Sequence, residues 1–184
     1  MKKILIVVAH PDDEALGCGG VIAKHKAAGD ETHILILGKG RSDKLDQKFD
    51  TSPLLYFIQA IESTIGAMEP QIIYTHCASD LNRDHRIVHE ACLVATRPPS
   101  SVKEVYTFNI TSDPAFGSFG MFQPNVFVEI NIDKKIEAMQ SYESELRSYP
   151  HPRSIEMIKI MAQRWGGMIG AEYAEAFELV RQVK

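Results

Sequence analysis

Cysteine is scarce: the chain has three, Cys18, Cys77 and Cys92, an odd number, widely spaced and without a CxxC pair. They cannot build a disulfide framework and read as reduced small hydrophobes of a cytoplasmic protein. Nowhere is there the run of ~20 apolar residues that a membrane span requires. The N-terminal apolar run stops after about six residues at His10-Pro11-Asp12-Asp13, too short and too acidic for the core of a signal peptide. Basic charge is not in excess either. Lys and Arg number 20 against 24 Asp and Glu, for a net charge of −4, so a domain-wide nucleic-acid surface is excluded. There is no internal repeat, no low-complexity tract and no GxGxxG loop. Gly17-Cys18-Gly19-Gly20 comes several residues after the first strand, inside a helix. It is expected to serve close helix–sheet packing rather than a phosphate.

What is present is an ordinary globular balance, 45% hydrophobic and 24% charged over 184 residues, which fits one domain. A chain of this size buries roughly 70% of the surface its unfolded form exposes, enough for a real core. Residues 4–9 form a continuous aliphatic run, the signature of a parallel strand covered on both faces. A helix is expected from the acids Asp12, Asp13 and Glu14 to Ala28, then strands at 32–37, 71–75 and 104–108. Helices are expected at 53–65 and 84–96 between them, with 41–52 as a loop. This alternation predicts a mostly parallel sheet with right-handed crossovers. Beyond it the pattern predicts a strand at 126–132, a helix at 133–148 with Asp133 as N-cap, a helix at 154–165 and, at 174–181, a last strand or a short helix, with strand favoured.

Histidine is the surplus: seven, against one Trp. Their positions matter more than their number. Ligands of open α/β sheets collect at the carboxyl ends of strands, and two such ends here carry metal-type residues. His10-Pro11-Asp12-Asp13-Glu14 follows the first strand, and His76 with Asp80-Leu81-Asn82-Arg83-Asp84-His85 follows the third. A catalytic zinc wants three His, Asp or Glu ligands and an open position. His10, Asp13 and His85 supply that set, with Asp12 beside it to accept a proton. Helix capping alone accounts for Asp12 and Asp13, but not for a buried strand ending in His nor for a second Asp-His pair at a neighbouring strand end. His85 and His89 stand at i, i+4, and His85, nearer the strand ends, is the expected ligand. Asp84 is expected either to orient a ligand imidazole or to cap its helix. His25 and His33 are expected at the surface, and Arg41 and Arg153 can meet an anionic group on a substrate.

AHPDDE after the first strand, the later DLNRDH and the terminal PHPRS and AEAF together resemble the PIG-L/LmbE-like zinc N-acetylglucosamine deacetylases, over nearly the whole chain. The resemblance implies a single domain over 1–184 with a Rossmann-like three-layer α/β fold and an added C-terminal strand/helix region. It implies His10, Asp13 and His85 as zinc ligands, a site that also suits Fe(II), Co(II) or Mn(II). Asp12 is the implied base, and the implied reaction is hydrolysis of the acetamide of an amino sugar. The implied partners are a small-molecule substrate and further copies of the chain. Two departures stand out. Where some members have His-Pro-Asp-His this chain has Asn82-Arg83-Asp84-His85, so Asn82 or His151 becomes the donor to a developing oxyanion. The stretch from Arg41 to Phe49-Asp50 is also short for the family. The rivals are an amidase acting on another small conjugate and, from a different class, a nucleotide- or metal-binding module without turnover.

Overall fold

The structure is a computed structural model and describes residues 1–38, 49–112 and 116–184. Arg41 lies outside the described residues. Among the described residues six strands, β1 (Lys3–Val8), β2 (Glu31–Ile36), β3 (Ile72–His76), β4 (Glu104–Phe108), β5 (Val126–Glu129) and β6 (Ala174–Gln182), form one sheet of order β2-β1-β3-β4-β6-β5. The first four run parallel, while β6 is antiparallel to β4 and β5 antiparallel to β6. The expected mostly parallel sheet with an added C-terminal region is what forms.

The period of two along β1 explains the layers. Ile4, Ile6 and Val8 point to one face, packing with Cys18, Val21, Ile136 and Ala162. These come from α1 (Asp13–Ala27), α4 (Ile132–Gln140) and α5 (Ile155–Gly167). Leu5, Val7 and Ala9 point to the other face, against Phe57, Ile61, Val88 and Cys92, which belong to α2 (Leu54–Met68) and α3 (Arg83–Ala95). Both faces being covered, Ile4 to Ala9 are all fully buried. That is why the strand reads as an unbroken apolar run rather than an alternation.

The glycines of α1 have the packing role expected of them. A Cβ on Gly17 would lie 2.2 Å from the Phe108 ring, and one on Gly20 would lie 2.7 Å from Ile130. Three expectations for the region after Phe108 are corrected, and the first is that the strand expected at 126–132 ends at Glu129. The helix after β5 runs only from Ile132 to Gln140, followed by a single 3-10 turn at Glu143–Glu145. Its N-cap is Asn131, not Asp133. The Asn131 Oδ1 takes the N–H groups of Asp133 and Lys134 at 2.9 and 3.2 Å, leaving Asp133 in the first turn, where its charge complements the helix dipole.

In this sheet β1 has β2 on one side and β3 on the other, so chain order reverses between β1 and β3. Such a switch point opens a crevice at the carboxyl ends of the two strands. His10 follows β1 and His85 opens the helix after β3. The topology puts both at that crevice.

Candidate metal centre

His10 Nδ1, Asp13 Oδ2 and His85 Nε2 face one another. His10 to Asp13 and His85 to Asp13 are both 3.4 Å, and His10 to His85 is 3.3 Å. Zinc–nitrogen and zinc–oxygen bonds of about 2.0–2.1 Å in a tetrahedron put neighbouring ligand atoms about 3.3–3.4 Å apart, so this triangle has the dimensions of one face. The Asp13 and His85 side chains are 0% and 1% exposed, whereas that of His10 is 18% exposed. Solvent therefore reaches the triangle on the His10 side.

Each imidazole is oriented from behind. His10 Nε2 donates to Asp84 Oδ2 at 3.1 Å, and His85 Nδ1 donates to Asp80 Oδ2 at 2.9 Å. A carboxylate behind a histidine fixes its tautomer and turns the other nitrogen toward a metal. Asp80 is itself held, its Oδ1 taking the Asn82 backbone N–H at 2.8 Å. A second His/Asp group, His76 with Asp80 and His85, also lies within metal-binding reach. Within it, His76 Nε2 accepts the Ala9 backbone N–H at 3.0 Å, and Asp80 Oδ2 is taken by His85 Nδ1. His76 stacks on His85 at 4.0 Å between centroids and completes the wall of the site.

Charge in the triangle is concentrated. Burial works against protonation of His10 and His85, but the Asp13, Asp84 and Asp80 carboxylates outweigh it, raising His10 to about 9 and His85 to about 10. Burial alone would raise Asp13, yet the three histidines around it hold it well below the usual carboxylate range. His76 is driven the other way, to about 4, by complete burial and by the charge of His85.

Asp12 stands beside the triangle with φ 102°, a left-handed conformation unusual for a residue with a side chain. Its carboxyl is raised to about 7, by burial first, with the Arg153 guanidinium pulling it down and Asp13, Glu145 and Glu14 pushing it up. Arg153 Nη1 is 2.9 Å from Asp12 Oδ2 and also donates to Glu145 Oε2 at 3.0 Å. A carboxyl that titrates near neutrality suits proton transfer at working pH.

The other expected site residues divide. Asn82 is the N-cap of α3, its Oδ1 accepting the Asp84 N–H at 3.0 Å. The Asp84 side chain therefore does not cap the helix, and its Oδ2 meets His10. His151 is exposed, with its Nδ1 accepting the Arg153 backbone N–H at 3.0 Å, and among the described residues no hydrogen bond joins it to the triangle. His89 points its Nδ1–H to the His76 carbonyl at 2.8 Å, consistent with a helix-flank residue. His25 is not a free surface group, since it bridges Asp30 at 2.9 Å and Tyr74 at 3.1 Å. Sequence reasoning missed Asp80, whose only signal was its place five residues before His85 in the same strand-end turn. It also missed Glu145, and the bond of 2.6 Å from the Tyr142 hydroxyl to Glu14, which no local pattern announces.

A family model described as PIG-L, GlcNAc-PI de-N-acetylase, matches residues 5–53. Two curated proteins, the 1D-myo-inositol 2-acetamido-2-deoxy-alpha-D-glucopyranoside deacetylases of Rhodococcus opacus (strain B4) and Rhodococcus jostii (strain RHA1), are each 41% identical over 44 residues. The match spans 24% of this chain and only 15% of theirs. Over residues 5–53 the chain is similar to the PIG-L family. Solved structures of the same fold cover nearly all of the chain. A conserved protein of Thermus thermophilus superposes with TM-score 0.75 at 23% identity, over 100% of this chain and 97% of its own. The N,N'-diacetylchitobiose deacetylase of Pyrococcus horikoshii gives 0.72 at 15%, over 98% and 84%. The 4-carboxy-2-hydroxymuconate hydratase of Pseudomonas putida KT2440 gives 0.72 at 20%, over 100% and 98%. One fold thus carries both a deacetylase and a hydratase, so the chemistry of this chain has to be argued from its site.

Proposed function

We propose that the protein is a metal-dependent hydrolase that removes the N-acetyl group from an N-acetylglucosamine-type amino sugar or conjugate. The observation that carries this reading is the triangle of His10, Asp13 and His85 with Asp12 at its side. The family match over residues 5–53, which takes in the His10–Glu14 turn, supports it. A divalent cation on that triangle, zinc by its fit to a His2Asp set and Fe(II), Co(II) or Mn(II) as further candidates, supplies a Lewis acid that acidifies water and polarises an amide carbonyl.

The protein supplies the rest. Asp12 takes a proton from the attacking water and returns it to the leaving amine, so that acetate and a free amino sugar depart. Arg153, tied to Glu145, keeps the Asp12 carboxylate beside the triangle. Asn82 spends its side-chain oxygen on the helix cap and retains its amide N–H groups as donors, while His151 retains Nε2. Either group serves the developing oxyanion in this reading.

The test is acetate release from free, inositol-linked and chitobiose-type N-acetylglucosamine, before and after stripping the metal with a chelator. Release that disappears with the metal and returns with zinc is expected. A stoichiometrically loaded protein that releases no acetate from any of these overturns the reading in favour of another amide or of binding without turnover.

Metal uptake should also release protons. Ligand imidazoles must be neutral, whereas His10 and His85 of the metal-free site hold their protons up to about 9 and 10. Below these values binding expels up to two protons, so affinity rises with pH by up to about 100-fold per unit and levels off above them. Titration calorimetry at pH 7 in buffers of different ionisation enthalpy measures the number. No release at pH 7 would show that both rings are already neutral.

A further inference from the structure

The AEAF motif contains a residue that the proposed chemistry leaves unused. Glu175 lies on β6, 4% exposed, paired with Lys135 of α4, 5% exposed. Both reach into a break in α1, where Cys18 departs from helical geometry at φ −144°, ψ 24°. Lys135 Nζ donates to the Ala15 and Leu16 carbonyls at 3.2 and 2.7 Å and to Glu175 Oε1. Glu175 Oε1 accepts the Gly20 N–H at 2.9 Å, and its Oε2 accepts the Val21 N–H at 2.7 Å.

In an unbroken helix the Gly20 N–H would donate to the Leu16 carbonyl. Here the same two groups are linked through side chains, Gly20 N–H to Glu175 to Lys135 to Leu16. The cation sits on the carbonyl end of the first helical segment and the carboxylate on the N–H end of the second, each at the dipole end that favours it. All three ammonium protons and both carboxylate oxygens are used, so the buried pair is fully satisfied. The short segment thus set apart begins with Asp13 and Glu14 and follows directly on Asp12. Gly17, at its far end, is pressed against Phe108 of β4.

We infer that Lys135 and Glu175 are positioning residues: spliced into α1 from the C-terminal third of the chain, they fix where its first turn holds Asp12 and Asp13 opposite His85. The inference rests on the reading of His10, Asp13 and His85 as a metal site. The test uses Glu175→Gln, Glu175→Asp and the double variant Lys135→Met/Glu175→Leu, which removes both charges and so leaves neither buried alone. Two readouts are taken on the whole chain: amide hydrogen exchange without metal, and the affinity and visible absorption spectrum of added cobalt(II).

Glu175→Gln and the double variant should speed exchange in residues 13–21 while the amides of α2 and α3 keep their protection. Cobalt affinity should fall about 10- to 100-fold, the range for groups that orient metal ligands, with a changed spectrum. Glu175→Asp, which keeps the charge, should recover part of both. Exchange rising equally in all helices, or an unchanged cobalt spectrum and affinity in variants with local exchange, would reduce the pair to general stability and overturn the inference. If the wild-type protein takes up no cobalt or zinc, the metal reading itself fails. The exchange pattern then still decides whether the pair governs the first turn of α1.

Discussion

Replacing Asp12 with Asn should lower acetate release by about 10²- to 10⁴-fold, the range for a general base, while bound metal stays at the wild-type level. The substitution keeps the size of the side chain and takes away its charge and its ability to accept a proton. Asp12 is not one of the three ligand atoms, and Asp13, His10 and His85 keep their mutual distances of 3.3–3.4 Å. Metal content and catalysis should therefore separate. The contact with Arg153, 2.9 Å from Asp12 Oδ2, loses its charge complement, but Arg153 retains Glu145 and Ser112 as partners. A melting temperature within a few degrees of wild type is expected alongside the lost rate. Acetate release unchanged in Asp12→Asn would remove Asp12 from the reaction, and metal lost with the rate would make it part of the binding site instead.

His85→Ala should abolish stoichiometric metal binding, whereas His89→Ala should retain it. His85 Nε2 completes the triangle, and its other nitrogen is held by Asp80. Two ligands remain after truncation, too few for a tight site of this kind. The change also strips the fully buried Asp80 of its imidazole partner, a buried acceptor whose loss of a hydrogen bond costs about 1–3 kcal/mol. Folding should be checked by circular dichroism before metal is counted. His89 lies one turn further along α3 and gives its Nδ1–H to the His76 carbonyl, so its removal touches the wall of the site rather than its ligands. Retained metal in His85→Ala with loss in His89→Ala would reverse the assignment.

Much of this protein is legible in one dimension because its strongest signals are local. The aliphatic run of β1, the His-Pro-Asp-Asp-Glu turn after it and the alternation of elements through Phe108 each lie within a few residues of chain. Capping was legible in kind but not in place. Asn131 and Asn82 took the cap positions because the backbone leaves the strand or turn at those residues, so their side chains meet the first free N–H groups. Boundaries after β5 slipped for a related reason: α4 stops at Gln140, and the chain beyond it bends to bring Tyr142 to Glu14 and Glu145 to Arg153.

By itself the sequence determined that there would be a mostly parallel sheet with histidines and carboxylates at two strand ends, and it named the three residues of the triangle. Only the tertiary structure decided which nitrogen of each histidine faces inward. It alone showed that Asp80 and Asp84 stand behind the two rings, and that Arg153 and Glu145 reach Asp12. It also revealed Lys135 and Glu175 inside the first helix, 120 and 155 residues from the groups they hold. Periodicity and motif report what neighbouring residues must do to fold. Such long-range contacts are fixed by the order and packing of the strands, and no local pattern records them.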